Sequence, residues 1–303
     1  MAGLRRSWRS RTGRAVRLAV GVVGIAAAVV FAARGMDLGA LGRAAWWQWA
    51  MIAVGVVVNL AATTAIFQLV TRAFCPQPAV AWPTMARLIA ASTLLNYVPV
   101  VRLGLWSRAA YLKAYHGVAV RDSAAGLGLV LGVSLAVVVA VAGVGVAVKA
   151  PAWAVWGGFA GVGLALMAAL TLITARLRAW RAARPGLWPA IRVVDVVASG
   201  LRLWVALSVV GVDVAWHEAV LLGCAGTLGR LAAVTPNGLG LSEWLIALVG
   251  ASRAMGQPVP LEALAAAAVI DRAVEVGVIV PAGLWGLGVL RRGKGVTPGD
   301  RTA

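Results

Sequence analysis

Few residues in this chain could carry chemistry, and they stand where charge is expensive. Only 10 of 303 residues are Asp or Glu. Asp195, Ser199 and Arg202 recur at i, i+4 and i+7 inside an apolar stretch, a spacing that puts them on one face of a helix. Glu243 follows Gly238-Leu-Gly240-Leu-Ser242 at a point where a helix restarts. There it reads both as a first-turn carboxylate favoured by the helix dipole and as a buried carboxylate at a broken helix. Asp271 and Glu275, at i and i+4, share a face, with Arg272 about 100° away. Ion pairs of these acids to Arg230 or Arg202, and contacts to a substrate, are both open. Ionisable groups in a hydrocarbon layer cost several kcal/mol unless paired or facing water, so each is a candidate for binding. None forms a catalytic set. His116 and His217 are the only histidines, and Cys75 and Cys224 lie far apart without a CxxC spacing. There is no Walker loop and no nucleophile elbow. The chain reads as a non-enzyme that needs no metal or cofactor.

The elements that hold these residues follow from composition. Hydrophobic residues make up 61% of the chain and charged ones 13%, about half the share of an average soluble domain. Mean hydropathy is +0.89. Residues 44–71, 123–148 and 150–175 carry no Asp, Glu, Lys or Arg, and each run exceeds the ~20 residues that cross a bilayer core. They do not alternate polar with apolar, so helices are expected rather than barrel strands. The formal charge of +18 comes from basic residues at the ends of apolar runs, the pattern that orients membrane helices. It argues against nucleic acid and for anionic lipid headgroups as partners.

The expected fold is an all-α integral membrane protein with about six full transmembrane helices plus two re-entrant broken hairpins. The full spans fall near 18–33, 46–70, 123–148, 153–175, 193–211 and 262–290. A basic N-terminus, 1–17, and a basic, disordered tail, 291–303, flank a single membrane domain, 18–290. Arg5, Arg6, Arg9, Arg11, Arg14 and Arg17 at one end, and Arg291, Arg292 and Lys294 at the other, place both termini in the cytoplasm. The basic segment from Arg176 to Arg192, broken by Pro185-Gly186 and Pro189, reads as a cytoplasmic loop. Asp213 and Glu218 read as part of an outer loop.

Two stretches do not fit full spans. In residues 83–115 the apolar part is too short to cross, Pro99 breaks it, and Arg87, Arg102 and Arg108 flank it. Residues 219–256 are broken at Thr235-Pro236-Asn-Gly238-Leu-Gly240. Both contain a Pro and then Leu-Gly-Leu, at 103–105 and 239–241. Two Gly/Pro-interrupted segments in matching halves point to a midplane site between inverted repeats. Asn96, Gly104 and Pro236 join the candidate residues on that ground.

The run Pro236-Asn-Gly-Leu-Gly-Leu-Ser-Glu243 resembles the second-half motif of the lysylphosphatidylglycerol synthase transmembrane-domain family, also described as flippase-like. That motif is a Pro, a Gly-x-Gly and a Glu, with an Arg in the final helices, here Arg272. Asn96, Pro99, Gly104, Arg108, Tyr111-Leu-Lys113 and Gly117 carry the first-half resemblance, which extends over about residues 15 to 290. This chain has Leu105 where the family usually has Glu, and no charge in 123–148 where the family usually has Arg and Asp. The resemblance implies movement of an aminoacylated phospholipid between leaflets of the cell membrane, without the soluble synthase domain. Two other functions stay open: a small-solute secondary transporter or channel, and a scaffold for a membrane enzyme that modifies lipids or glycans.

Overall fold

The computed structural model describes residues 38–74, 80–97, 103–147, 187–232, 236–252 and 259–292. The expected spans 18–33 and 153–175, both termini, Pro99, Arg102 and Thr235 lie outside the described residues. Among the described residues the fold is all helical. Its elements are α1 (Leu38–Arg43), α2 (Trp46–Phe74), α3 (Trp82–Asn96), α4 (Leu103–His116), α5 (Val120–Ala147), α6 (Leu187–Val209), α7 (Trp216–Ala232), a 3-10 turn (Pro236–Gly238), α8 (Leu241–Gly250) and α9 (Leu261–Arg292). Residues 46–73 of α2 and 120–143 of α5 are long and apolar enough to cross a membrane.

Two element starts differ from the expectation. Helix α6 begins at Leu187, so Pro189 and Arg192 lie inside it and not in a loop. Pro189 sits in the first turn, where the missing N–H would have had no helical partner. Helix α7 begins at Trp216, and Glu218 is its cap rather than a loop acid: its Oε2 accepts the Ala215 N–H at 2.9 Å.

Each interrupted stretch is a pair of antiparallel helices. Gly104, at the start of α4, lies on the Ser92 carbonyl near the end of α3. Further along, Leu112 packs with Met85, Leu88 and Ile89. In the second pair, Gly229 of α7 abuts Ser242 of α8, and Gly226 abuts Ile246. Helix α9 is the common spine. At 1.5 Å per residue its 32 residues span about 48 Å. Its first half packs on α8, with Leu264 against Gly250, and its second half on α3, with Gly283 against Leu94 and Gly286 against Arg87. The two hairpins therefore reach along α9 from opposite ends, and their tips meet near Arg272 and Glu275.

Helices α2, α6 and α7 close the other side. Gln48 bonds Ser208, and Asn59 bonds Asp195, so α2 and α6 run antiparallel. Gly200 of α6 faces Gly223 of α7 so closely that a Cβ on Gly223 would lie 2.7 Å from the Gly200 nitrogen.

Candidate functional site

The sequence places Arg202 two turns beyond Asp195 on α6, facing α2. Gly55 makes this possible, because a Cβ there would collide with the Arg202 side chain. The guanidinium of Arg202 then grips Asp271 on α9 in a two-pronged contact, Nε to Oδ1 and Nη2 to Oδ2, both 2.8 Å. Its Nη2 also donates to Glu275 Oε2 at 2.9 Å and its Nη1 to Asn59 Oδ1 at 2.8 Å.

From this pair the network extends both ways. Asn59 donates to Asp195 Oδ1 at 2.8 Å, and Asp195 Oδ2 accepts from Arg192 at 2.6 Å. On the other side Arg272 donates to Glu275 Oε1 and to Glu243 Oε1, each at 3.0 Å. The Tyr97 hydroxyl, at the tip of the first hairpin, donates to Glu275 Oε1 at 2.7 Å. Glu275 is the hub: it accepts three hydrogen bonds, and Arg230 stands 3.7 Å from its Oε2. Arg202, Asp195, Glu243 and Glu275 are buried. An unpaired charge there would be costly, so the mutual pairing is what permits the cluster.

A cavity of about 260 Å³ opens beside the network. Its charged walls are Arg192, Asp195, Arg202, Arg230 and Glu275, and its apolar walls include Phe67, Leu105, Leu127 and Ile279. Asn96 from the first hairpin and Asn237 from the second both line it. Asn237 has φ 48°, in the left-handed region that Asn tolerates, and Gly238 and Gly240 follow at 73° and 80°. Behind the cavity lies a chamber of about 20 Å³, room for one water, bordered by Ser242, Glu243, Asp271 and Arg272. Glu243 Oε2 and Ser242 Oγ have no hydrogen-bond partner.

Of the candidate residues, Arg202, Arg230, Glu243, Asp271, Arg272 and Glu275 come together in one network. Asn96 lines its cavity. Glu243 and Arg272, expected on that same cavity, border the small chamber instead. Gly238 and Gly240 were expected at the cavity wall; they turn the chain, and Gly238 packs against the backbone of Arg230. Gly104 seats α4 on α3. Arg108 lies apart, its guanidinium 3.6 Å from the ring centre of Phe67. Pro236 opens the 3-10 turn. Asn59, Tyr97, Arg192 and Asn237 were not among the candidates. Asn59 carried a signal, as a strongly hydrogen-bonding amide in a stretch with no charge. The chain matches no protein-family model and no curated protein.

Proposed function

We propose that the protein is a flippase-like membrane transporter that moves a phospholipid or lipid-linked headgroup across the cell membrane. One observation carries the reading: the fold buries a charged network while it exposes large apolar side chains. Arg202 is 3% exposed, whereas Val54, Val194, Leu248 and Leu284, on four different helices, are all more than half exposed. Water would reverse this arrangement, and lipid favours it. The network lies roughly 17–21 Å from the N-terminal end of α9 at 1.5 Å per residue, near mid-depth of a core about 30 Å thick. A headgroup crossing there needs polar groups while its chains stay in lipid, and the cavity lining offers charged and amide side chains together with apolar ones. The motif resemblance at 236–243 points the same way. The test is reconstitution of the full chain in vesicles with a fluorescent phospholipid and an impermeant quencher. Label in the inner leaflet should become quenchable; quenching limited to the outer leaflet overturns the proposal.

A scaffold role draws on a different observation. The network satisfies its own charges, as a purely structural cluster would. On that reading the chain is a non-transporting scaffold for a membrane enzyme, and the same vesicles should show no lipid movement.

A further inference from the structure

We infer that the cavity recognises a phosphodiester carrying an uncharged, hydroxyl-bearing headgroup, and rejects an aminoacylated, cationic one. The inference rests on the transport reading above and names its substrate class.

The argument is which groups in the cavity remain available. Both carboxylates that face it are already paired with a guanidinium. Asp195 accepts from Asn59 and Arg192. Glu275 accepts from Tyr97 and Arg272 on one oxygen and from Arg202 on the other, with Arg230 standing 3.7 Å from that second oxygen. An incoming ammonium would meet carboxylates whose charge is already balanced by arginines, in a lining with a surplus of positive charge. Among the cations, Arg192 and Arg202 are held at 2.6–2.9 Å. Arg230 differs. Its ion pair to Glu275, at 3.7 Å, is the longest in the network. Its hydrogen bonds to Thr227 and Ser199 are long, 3.2 and 3.4 Å, and its side chain is the most exposed of the three. Arg230 can turn a planar fork of donors to a phosphate without stranding a buried acid. The lining charges sum to +1, three arginines against two carboxylates. One negative charge on the ligand neutralises them.

Arg192 Nε, also on a lining residue, is buried without a partner and is a second donor for a phosphate, and the amides suit hydroxyls. Among the described residues, the side chains of Asn96 and Asn237 make no hydrogen bond, and Asn96 Oδ1 is buried without a partner. One comes from each hairpin tip, and each amide offers both donors and an acceptor. At about 260 Å³ the cavity is below the range for a drug-sized ligand, so it takes a headgroup and not the acyl chains.

The test uses the purified full chain in neutral detergent micelles. Its probes are dihexanoyl phosphatidylglycerol, dihexanoyl lysylphosphatidylglycerol and water-soluble glycerophosphoglycerol, with affinities read by thermophoresis. The phosphatidylglycerol probe should bind more tightly than the lysyl probe. Arg230→Gln should weaken it about ten- to hundredfold, the worth of a charge-assisted hydrogen bond. Asn237→Asp, nearly isosteric and tolerant of the same backbone, should shift preference toward the lysyl probe. Equal or tighter binding of the lysyl probe by the unaltered protein overturns the headgroup assignment while vesicle transport still stands. Loss of vesicle transport with all lipid probes overturns the transport reading itself. Binding of glycerophosphoglycerol as tight as that of the lipid assigns the same phosphodiester chemistry to a soluble solute. Should Arg230→Gln fail to fold, the selectivity of the unaltered protein and of Asn237→Asp decides.

Discussion

Arg202 has each of its three guanidinium nitrogens engaged, with Asp271, Glu275 and Asn59. Arg202→Leu strands Asp271, takes one partner from Glu275 and should cost about 3–5 kcal/mol. Arg202→Lys keeps the charge but not the two-pronged grip, and should lose less. Unfolding in micelles reads both, and Arg202→Leu with Asp271→Leu should recover part of the loss. Glu243→Gln is the milder change, because Arg272 keeps Glu275 and Tyr97 as partners. It should leave protein abundance nearly normal and slow lipid movement. Arg272→Ala should do more damage, since it removes a partner from both Glu243 and Glu275. Normal movement in a well-folded Glu243→Gln would leave Glu243 as a packing element of α8. At this scale the sequence was informative about charges and poor on amides. A charge in an apolar helix demands a partner, which made Arg202, Asp271 and Glu275 visible. Asn237 and Tyr97 cost little wherever they lie, so their roles emerge only when the hairpin tips meet.

Helix contacts here depend on missing side chains. Gly55 yields its space to Arg202, and Gly200 and Gly223 let α6 and α7 touch backbone to backbone. Where the solvent is lipid, such close approach replaces the hydrophobic drive that water supplies. Gly55→Val should therefore displace Arg202 and act at a distance on Asp271, costing about 1–3 kcal/mol by overpacking. Gly42, with open space around it, takes a side chain freely and is the control. Thermal unfolding of the two variants makes the comparison; equal midpoints would remove Gly55 from this role. The interrupted character of both hairpins was legible from Pro and Gly in apolar runs. Helix starts were not, because Pro189 reads as a breaker although it sits in the one turn that accepts it. Nor could the pattern of apolar residues show that α9 serves both hairpins. That depends on which glycines of α9 find partners, and glycine spacing alone does not name them.

For the whole molecule, the surplus of basic residues at the ends of apolar runs predicts that both termini are cytoplasmic. Reporter fusions at each end should give cytoplasmic signals, and an external signal from either one would reverse the arrangement of hairpins described above. Helical architecture was readable from composition alone, because uncharged runs of such length leave no other backbone solution in lipid.

The charge balance of the network has an electrical consequence. Arg192, Arg202, Arg230 and Arg272 stand against Asp195, Glu243, Asp271 and Glu275, four minus four, which is zero. A transmembrane potential acts on net charge moved, at about 2.3 kcal/mol per elementary charge per 100 mV. In the proposed transport cycle, rearrangement of the empty protein around this cluster would thus be electrically silent. With a monoanion bound, the same movement carries one charge and senses the field. Membrane voltage would then act on the loaded step alone, pushing the anion toward the positive outer face of an energised cell. Imposing a potassium diffusion potential on the vesicles should accelerate outward movement of an anionic lipid and leave that of a zwitterionic one unchanged.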